Sequence, residues 1–384
     1  MNLANLEEIT YQEQLKTLIC QEIIESGGSL SFARFMTLAL YAPGLGYYSA
    51  GHYKLGPTGD FVTAPEMSPL FAKCVARQCQ QILTECDNKD ILELGAGTGV
   101  FAKDLLLELE KLACLPDHYF ILEVSADLRE RQNTLLSQHC PHLFERVVWL
   151  DSLADVEING MIFANEVMDA LPVHCFRIEN QSVMERRVMW QGDHFAWQLA
   201  PADTVLASPI EELRQQFSLP DGYESEMNLL LPAWINSLAA VLKQGVILLF
   251  DYGYGRAEYY HPDRYMGTLM CYRQQTRHDD PFLNVGAQDI TAHVDFTSVV
   301  SAAVDVELAL GGYTTQAAFL LCCHLIEISE EQVLSTEAQF LQGQMIKKLI
   351  LPAEMGEAVK VMALTKAFDL PLLGFSLQDR RGDL

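Results

Sequence analysis

The sequence predicts an α/β protein whose core is a doubly wound, Rossmann-like parallel sheet, with an N-terminal helical portion and an inserted antiparallel meander. From Lys89 onward, short apolar runs alternate with helical segments in the order β-α-β-α-β. Consecutive apolar positions are typical of parallel strands that are buried on both faces. The segment Val173–Leu199 instead alternates apolar and polar residues and contains two turn signals, at Glu179–Gln181 and Gln191–Asp193, which favours antiparallel strands.

The region before the sheet predicts two helices and a long loop. Leu6–Ser26 has amphipathic spacing, and Ser29–Tyr41 follows with Ser31 as a candidate N-cap. The next stretch, Ala42–Pro69, is rich in Gly, Pro, Tyr and Thr. Loops of this length without regular structure are usually functional or disordered, and the aromatic content argues against disorder.

The remaining pattern predicts the order of the core elements. Helices are expected after the first two strands, through Glu110 and His139, and over Glu224–Lys243. The predicted strands are Asp90–Leu94, Tyr119–Val124, Val147–Leu150, Met161–Ala164, Gly245–Phe250, Tyr313–Ala318 and Val359–Thr365. We therefore divide the chain into N-terminal helices with an aromatic lid loop, a first part of the core, the meander and the rest of the core, at residues 1–88, 89–172, 173–223 and 224–384.

Composition limits the class of protein. The 384 residues are 49% hydrophobic and 20% charged, which allows a sizeable core and excludes global disorder. A net charge of −25 disfavours nucleic acid as the main partner and suits a cationic one. The ten cysteines form no C-x-x-C pair, so we expect reduced, mostly buried thiols without a bound metal.

The sequence also predicts where the protein is located. The start, MNLANLEEIT, lacks the features of a secretory signal or an Arg-rich transit peptide. No apolar run reaches the roughly 18 residues that a membrane span needs. We therefore expect a cytoplasmic protein that does not insert into a membrane.

The strongest local signal is LELGAGTG, Leu92–Gly99, which ends a strand and opens a helix. Glycines there allow a ligand to approach the backbone closely and accommodate positive φ angles. The spacing is G-x-G-x-G, whereas G-x-G-x-x-G favours a dinucleotide with its pyrophosphate on the helix N-terminus. The alternative is a tight structural turn. We favour S-adenosylmethionine, a nucleoside without phosphate, and the predicted contacts are Gly95, Ala96, Gly97 and Gly99.

Acids at the ends of the strands support this ligand. Glu93 comes just before the glycines, and Glu123 ends the next strand near the spacing at which an acidic side chain binds ribose hydroxyls. Asp151 closes the third strand, where we expect it to contact the adenine amine. The remaining predicted cofactor contacts are Val124, Ser152 and Asn165.

Three further segments carry candidate catalytic residues. Asn165, Glu166 and Asp169 follow the fourth strand and are suited to hold and deprotonate a guanidinium, which needs paired carboxylates; acids at a helix N-terminus are the alternative. Asp60 and Glu66 lie in the aromatic loop, which is either a lid or a packed surface loop. The last candidate, His293, is either an acid–base group or a structural histidine.

Together these segments resemble the MidA-type family of S-adenosylmethionine-dependent protein arginine methyltransferases, whose mitochondrial members assist assembly of respiratory complex I. The matching stretches, in order, are GDFVTAPE, LELGAGTG, LEVS, ANEVMDALPV, DYGYG, GTL and DITAHVDF. The resemblance covers about residues 28–318, and the chain departs from the family pattern between Leu269 and Asp289. It implies that Gly95, Gly97 and Glu123 hold the cofactor and that Asp60, Glu66, Asn165, Glu166 and Asp169 line the active site.

The sequence therefore predicts a class I methyltransferase that methylates an arginine guanidino nitrogen in a partner protein. By analogy with the family, that partner is a subunit of a respiratory complex, and we also expect a homodimer. Two alternatives remain open on the residues alone: a small-molecule N- or O-methyltransferase, and a cofactor-binding assembly chaperone with little turnover. A nicotinamide dehydrogenase is a more distant one.

Overall fold

A computed structural model describes residues 3–50, 62–331 and 334–384 of the chain. Its α-helices, in chain order, are α1 (Leu3–Glu25), α2 (Phe32–Tyr41), α3 (Ala64–Met67), α4 (Pro69–Thr84), α5 (Val100–Lys111), α6 (Ala126–His139), α7 (Thr204–Phe217), α8 (Leu231–Val241), α9 (Arg256–Tyr259), α10 (Phe296–Asp305), α11 (Gln316–Cys322), α12 (Leu325–Glu330), α13 (Thr336–Ile350) and α14 (Met355–Ala358). Its strands are β1 (Ser29–Ser31), β2 (Asp90–Leu94), β3 (His118–Leu122), β4 (Val147–Leu150), β5 (Ile158–Asn165), β6 (His174–Glu179), β7 (Ser182–Gln191), β8 (His194–Pro201), β9 (Glu224–Met227), β10 (Leu242–Tyr254), β11 (Met270–Arg273), β12 (Thr276–His278), β13 (Asp289–Thr291), β14 (Val294–Asp295), β15 (Ala309–Thr315) and β16 (Val359–Lys366).

The main sheet has the strand order β15-β16-β10-β5-β2-β3-β4, and β14 pairs with the end of β10. The five strands from β10 to β4 run parallel. Their central members are buried on both faces, since every residue of β2 is buried. Helices cover both faces, and on one of them Phe101 of α5 stacks on Phe163 of β5 with 4.1 Å between ring centroids. The predicted doubly wound α/β class is confirmed.

One edge of this sheet differs from an all-parallel arrangement. β16 lies between β10 and β15 and runs antiparallel to both. The sequence correctly indicates strands near these positions. Burial on both faces, however, gives a continuous apolar run whichever way a strand points, so the pattern cannot reveal direction.

The N-terminal helices pack on the meander. β1 pairs with β7, and β6, β7 and β8 form the predicted antiparallel strands. Phe32 and Phe35 of α2 contact Trp197 and Phe195 of β8 at 5.0 and 5.5 Å between ring centroids. The predicted cap is also present, because the Ser31 hydroxyl accepts from the Arg34 amide. This layer brings the end of α2 to the edge of the main sheet, where the Tyr41 hydroxyl donates to the Ala170 carbonyl.

The prediction of one helix over Glu224–Lys243 is wrong at both ends, because α8 ends at Val241 and Leu242 already belongs to β10. Glu224–Met227 forms β9, which pairs antiparallel with β6. The Asn228 side chain then accepts from the amides of Leu230 and Leu231, which starts α8. The strand has only four residues, too few for its alternation to outweigh the helical pattern that follows it.

The division of the chain at residues 88, 172 and 223 stays a prediction. In the structure, α4 belongs to the same hydrophobic cluster as α5 and the main sheet, and Phe71 of α4 lies 5.2 Å from Phe250 of β10, between ring centroids. Across the described residues, no helix is both long enough and apolar enough to span a membrane.

Candidate active site

A cavity of about 370 Å³ opens at the carboxyl edge of the main sheet, above β2, β3 and β5. This is the point that a doubly wound sheet offers to a ligand. We call it the larger cavity. Predicted site residues that line it are Glu66, Glu93, Gly95, Ala96, Gly97, Glu123, Val124, Asn165 and Glu166.

The glycine-rich turn forms the floor of the larger cavity. Gly95, Gly97 and Gly99 have φ angles of 63°, 52° and 86°, in the left-handed region that side chains disfavour. A Cβ atom at Gly95 would also lie 3.3 Å from the Val167 side chain. Gly99 differs from the other two, because it starts α5 and packs on Gln132 instead of lining the cavity.

Two buried glutamates flank this turn. Glu93 accepts a hydrogen bond from the Tyr119 hydroxyl at 2.7 Å, and burial raises the pKa of Glu93 to about 8. Glu123 accepts from the Ser125 amide at 2.9 Å and from the Gln132 side chain at 3.1 Å, while burial raises its pKa. Gln132 also donates to the Gly97 carbonyl at 2.9 Å. It therefore ties Glu123 to the turn, and nothing in the sequence distinguishes it from Gln138, the other glutamine of α6.

Besides Gly99, two further predicted cofactor residues, Asp151 and Ser152, do not line the larger cavity. The Asp151 side chain is 89% exposed and pairs with Arg129 at 2.6 Å. The Ser152 hydroxyl instead accepts from the Ala154 amide at 3.1 Å, at the start of a short 3₁₀ turn. That turn points the next residue, Leu153, into the cavity.

A second cavity, of about 180 Å³, adjoins the first. Tyr48 and Glu166 line both, so these two side chains border the place where the cavities meet. We call this the smaller cavity. Its lining is rich in carboxylates and aromatic rings, and the described residues are Tyr48, Val62, Glu166, Asp169, Tyr252, Tyr272, Asp289, Thr291 and His293.

Glu166 is held in an unusual backbone conformation. Its φ of 52° is left-handed for a residue with a side chain, and its amide donates to the Phe250 carbonyl at 2.9 Å. The Asn165 amide group donates to its carboxylate at 3.1 Å. Burial, together with the nearby charge of Asp251, raises the pKa of Glu166 to about 8. Strain of this kind persists at sites that the surrounding structure determines tightly.

Asp251 fixes the turn that carries the next acid. It is fully buried and accepts from the amides of Met168 and Asp169 at 2.8 and 3.2 Å. Burial, with the charges of Asp251 and Glu166, raises the pKa of Asp169 well above its ordinary value. The sequence singles out the DYGYG segment but gives Asp251 no role; its role follows from the pairing of β10 with β5.

The other predicted catalytic residues have separate locations. Glu66 lines the larger cavity and accepts from the Thr98 hydroxyl, whereas Asp60 lies outside the described residues. His293 lines the smaller cavity and stacks on Tyr252, with 6.1 Å between ring centroids. Burial, with smaller contributions from Arg264 and Lys360, lowers its pKa to about 4, which leaves a neutral imidazole at pH 7.

The larger cavity suits a cationic nucleoside. Glu66, Glu93, Glu123 and Glu166 line it, and its described lining contains no Lys, Arg or His. A sulfonium and an ammonium are therefore favoured over a pyrophosphate. Among the described residues, none donates a hydrogen bond to the buried Asn165 Oδ1, so this oxygen is available to accept one from such a ligand. In the part of the chain that the structure describes, no three His, Cys, Asp or Glu side chains are placed to hold a metal ion.

The chain is similar to a solved structure with a bound nucleoside and to several curated proteins. A COG1565 superfamily member from Burkholderia thailandensis, bound to S-adenosyl-homocysteine, has a similar structure with a TM-score of 0.93, 37% identity and 98% of each chain covered. The chain is also similar to proteins named protein arginine methyltransferase NDUFAF7, mitochondrial, or its homolog. The human protein is 27% identical over 89% of this chain and 81% of its own length, and the Drosophila melanogaster homolog is 28% identical over 92% and 86%.

These relatives correct one prediction. We expected a cytoplasmic protein, and that expectation is contradicted, because the curated relatives are named as mitochondrial. The features of the first residues were a poor guide to location, since they describe only one end of a chain.

The family model of the S-adenosyl-L-methionine-dependent methyltransferases called Methyltransf_28 matches residues 74–314. This span includes the glycine turn, both flanking glutamates and most of the lining of the two cavities. The cofactor prediction is confirmed. The chain belongs to this family and is an S-adenosylmethionine-dependent methyltransferase.

Proposed function

We propose that this enzyme methylates a guanidino nitrogen of an arginine in a partner protein. The observation that carries the proposal is the smaller cavity, where Glu166, Asp169 and Asp289 lie beside three tyrosines next to the cofactor cavity. Carboxylates pair with the N–H groups of a guanidinium, and aromatic faces attract its delocalised charge. The names of the curated relatives support the same acceptor.

Most of the predicted site residues have a role in this proposal. Glu93, Gly95, Ala96, Gly97, Glu123, Val124 and Asn165 hold the cofactor, and Gly99 shapes the turn. Glu166 and Asp169 orient the guanidinium. The neutral ring of His293 forms part of the acceptor wall, and Glu66 closes the cofactor end. We do not retain Asp151 and Ser152 as contacts.

The chemistry requires alignment and one proton acceptor. Bound S-adenosylmethionine supplies a methyl group on a positively charged sulfur, whose bond to carbon breaks as the new bond to nitrogen forms. Glu166 borders both cavities and is the side chain best placed to face the attacking nitrogen. Because a guanidinium has a pKa above 12, its nitrogen must lose a proton during transfer, and the Glu166 carboxylate accepts that proton. Tyr48 donates a hydrogen bond to Asp289 at 2.9 Å, which positions both side chains in the lining of the smaller cavity.

The test of the acceptor uses labelled cofactor. We expect the purified enzyme to transfer the methyl group to arginine in proteins from cells that lack it, as identified by mass spectrometry of methylated peptides. Parallel reactions with metabolite extracts test the small-molecule alternative. Label found only in metabolites, or on lysine, would overturn the proposal.

The Glu166→Gln variant tests whether Glu166 is the general base. We expect methyl transfer to fall at least about a hundredfold, because a general base contributes that much or more, while S-adenosylhomocysteine still binds. Glu337→Gln, at an exposed position of α13, is the matched control. An assembly chaperone with little turnover would instead keep its cellular function in the Glu166→Gln variant.

Two finer predictions concern partners. A respiratory-complex subunit as the acceptor rests on the resemblance to complex I assembly proteins, and co-purification followed by peptide sequencing tests it. A homodimer is tested by light scattering of the purified chain.

A further inference from the structure

The two ends of the larger cavity differ in chemistry. Glu166, at one end, follows β5 and borders the smaller cavity. Val124 follows β3, and Leu153 follows β4, the strand at the opposite edge of the sheet. The order β5-β2-β3-β4 therefore sets the direction of the cavity, from the acidic end where the methyl group must lie to an apolar end away from it.

Helix α8 completes the apolar end. Trp234 and Ser237 project from it into the cavity, one turn apart. Trp234 is half-buried, and its ring belongs to the same packed cluster as Leu153 and Leu171. This helix carries none of the motifs in the sequence, so the prediction of the site did not include it.

We infer that this end binds the adenine of the cofactor, with the Trp234 indole against the face of the base and the Ser237 hydroxyl accepting a hydrogen bond from the exocyclic amine. With the methyl group at the Glu166 end and the ribose beside Glu123, the base must extend towards Val124 and Leu153. An indole packs well against a flat heterocycle. Asp151, which we expected at this position, is instead paired with Arg129.

The hydrogen bond within α8 determines which base fits. The Ser237 hydroxyl donates a hydrogen bond to the Ala233 carbonyl, with 2.9 Å between the two oxygens. Its lone pairs then remain available as acceptors. Adenine presents an amino group there, which donates, whereas hypoxanthine presents a carbonyl oxygen, which cannot. Ser237 thus selects for the amine.

The serine is tested by binding, without any acceptor substrate. Calorimetric titration compares S-adenosylhomocysteine with S-inosylhomocysteine, in which a carbonyl group replaces the exocyclic amine and the neighbouring N1 carries a proton. We expect Ser237→Ala to weaken the adenosyl ligand by about threefold to tenfold and to leave the inosyl ligand unchanged, because only the first loses a hydrogen bond. Ser301→Ala is the matched control, since Ser301 makes the same bond to a carbonyl one turn earlier in α10. Equal effects on both ligands, or none on the adenosyl ligand, would overturn the assignment.

The tryptophan is tested by fluorescence. The chain has four tryptophans, so the signal of Trp234 is the difference between the parent protein and Trp234→Phe. We expect S-adenosylhomocysteine to change that signal and Trp234→Ala to weaken binding about tenfold or more. Trp190→Phe, in the meander, is the control. If the ligand leaves the Trp234 signal unchanged, the base does not lie on the indole. The fluorescence difference and Ser237→Ala decide the question even if Trp234→Ala does not fold.

Discussion

Glu166 combines backbone strain, burial and a raised pKa at the point where the two cavities meet. A carboxyl group with a pKa of about 8 is mostly protonated at neutral pH in the free enzyme, and in that form it cannot accept a proton. We therefore expect kcat/KM to rise with pH, about tenfold per unit below 8, and to level off above it. Initial rates at low acceptor concentration between pH 6 and pH 9 measure this profile.

A second buried acid in the cofactor cavity provides the control for that profile. Glu93 also has a pKa of about 8, but it lines only the larger cavity and is bonded to Tyr119. If Glu166 is the base, the Glu93→Gln variant keeps the rise in kcat/KM. A profile that is flat in the parent enzyme, or flat only in Glu93→Gln, would refute the assignment of Glu166.

At the scale of elements, β5 and β10 approach each other through paired glycines. Gly160 and Gly245 are partners in the register, with φ angles of 144° and 128°. A Cβ at Gly245 would lie 1.9 Å from the Gly160 carbonyl oxygen, which belongs to rigid backbone. We expect Gly245→Ala to lower the free energy of unfolding by about 3 kcal/mol or more, as measured by urea denaturation.

At a glycine elsewhere in the chain, we expect replacement by alanine to change the free energy of unfolding in the opposite direction. Gly343 lies inside α13, and outside its own helical turn no atom of the described residues lies within 4 Å of the position of its missing Cβ. Gly343→Ala should therefore raise the free energy of unfolding by about 0.5–1 kcal/mol, because alanine favours a helix more than glycine does. Similar effects of the two substitutions would contradict the steric explanation for the sheet.

Elements also explain which parts of the site the sequence could predict. Glu93, Glu123, Glu166 and Asp169 were found because each lies in or directly after a recognisable strand, and parallel strands end at one edge of the sheet. Asp289 and Trp234 were given no role. They come from the short strand β13 and from the middle of α8, and only tertiary packing brings them to that edge. The antiparallel edge of the sheet was missed for the related reason that burial does not encode direction.

At the scale of the whole molecule, the net charge of −25 acts on any cationic acceptor. A negative field raises the association rate of a positively charged peptide, and added salt screens it. We expect the KM for an arginine-containing peptide to rise severalfold between about 20 and 200 mM salt, while kcat changes little. Affinity for S-adenosylhomocysteine, which has no net charge, is the internal control. A KM that is independent of salt would show that the overall charge does not assist recognition.

The buried acids also make the stability of the whole fold depend on pH. Glu93 and Glu166 have folded-state pKa values of about 8, above the ordinary value of 4.5, and Asp251 is raised to about 7. Between the ordinary and the raised values, the folded protein holds protons that the unfolded chain has lost. The free energy of unfolding therefore falls as the pH rises from about 5 to 8, by about 1.4 kcal/mol per unit for each such group.

Glu93→Gln isolates one of these groups. The amide stays neutral at every pH, and its oxygen still accepts from the Tyr119 hydroxyl, which bonds Glu93 at 2.7 Å. We expect the variant to match the parent near pH 5 and to be about 4 kcal/mol more stable near pH 8.5, as measured by urea denaturation of the cofactor-free protein. Equal stability at both pH values would mean that Glu93 ionises without cost in the fold. The cavity around it would then be better hydrated than its burial indicates.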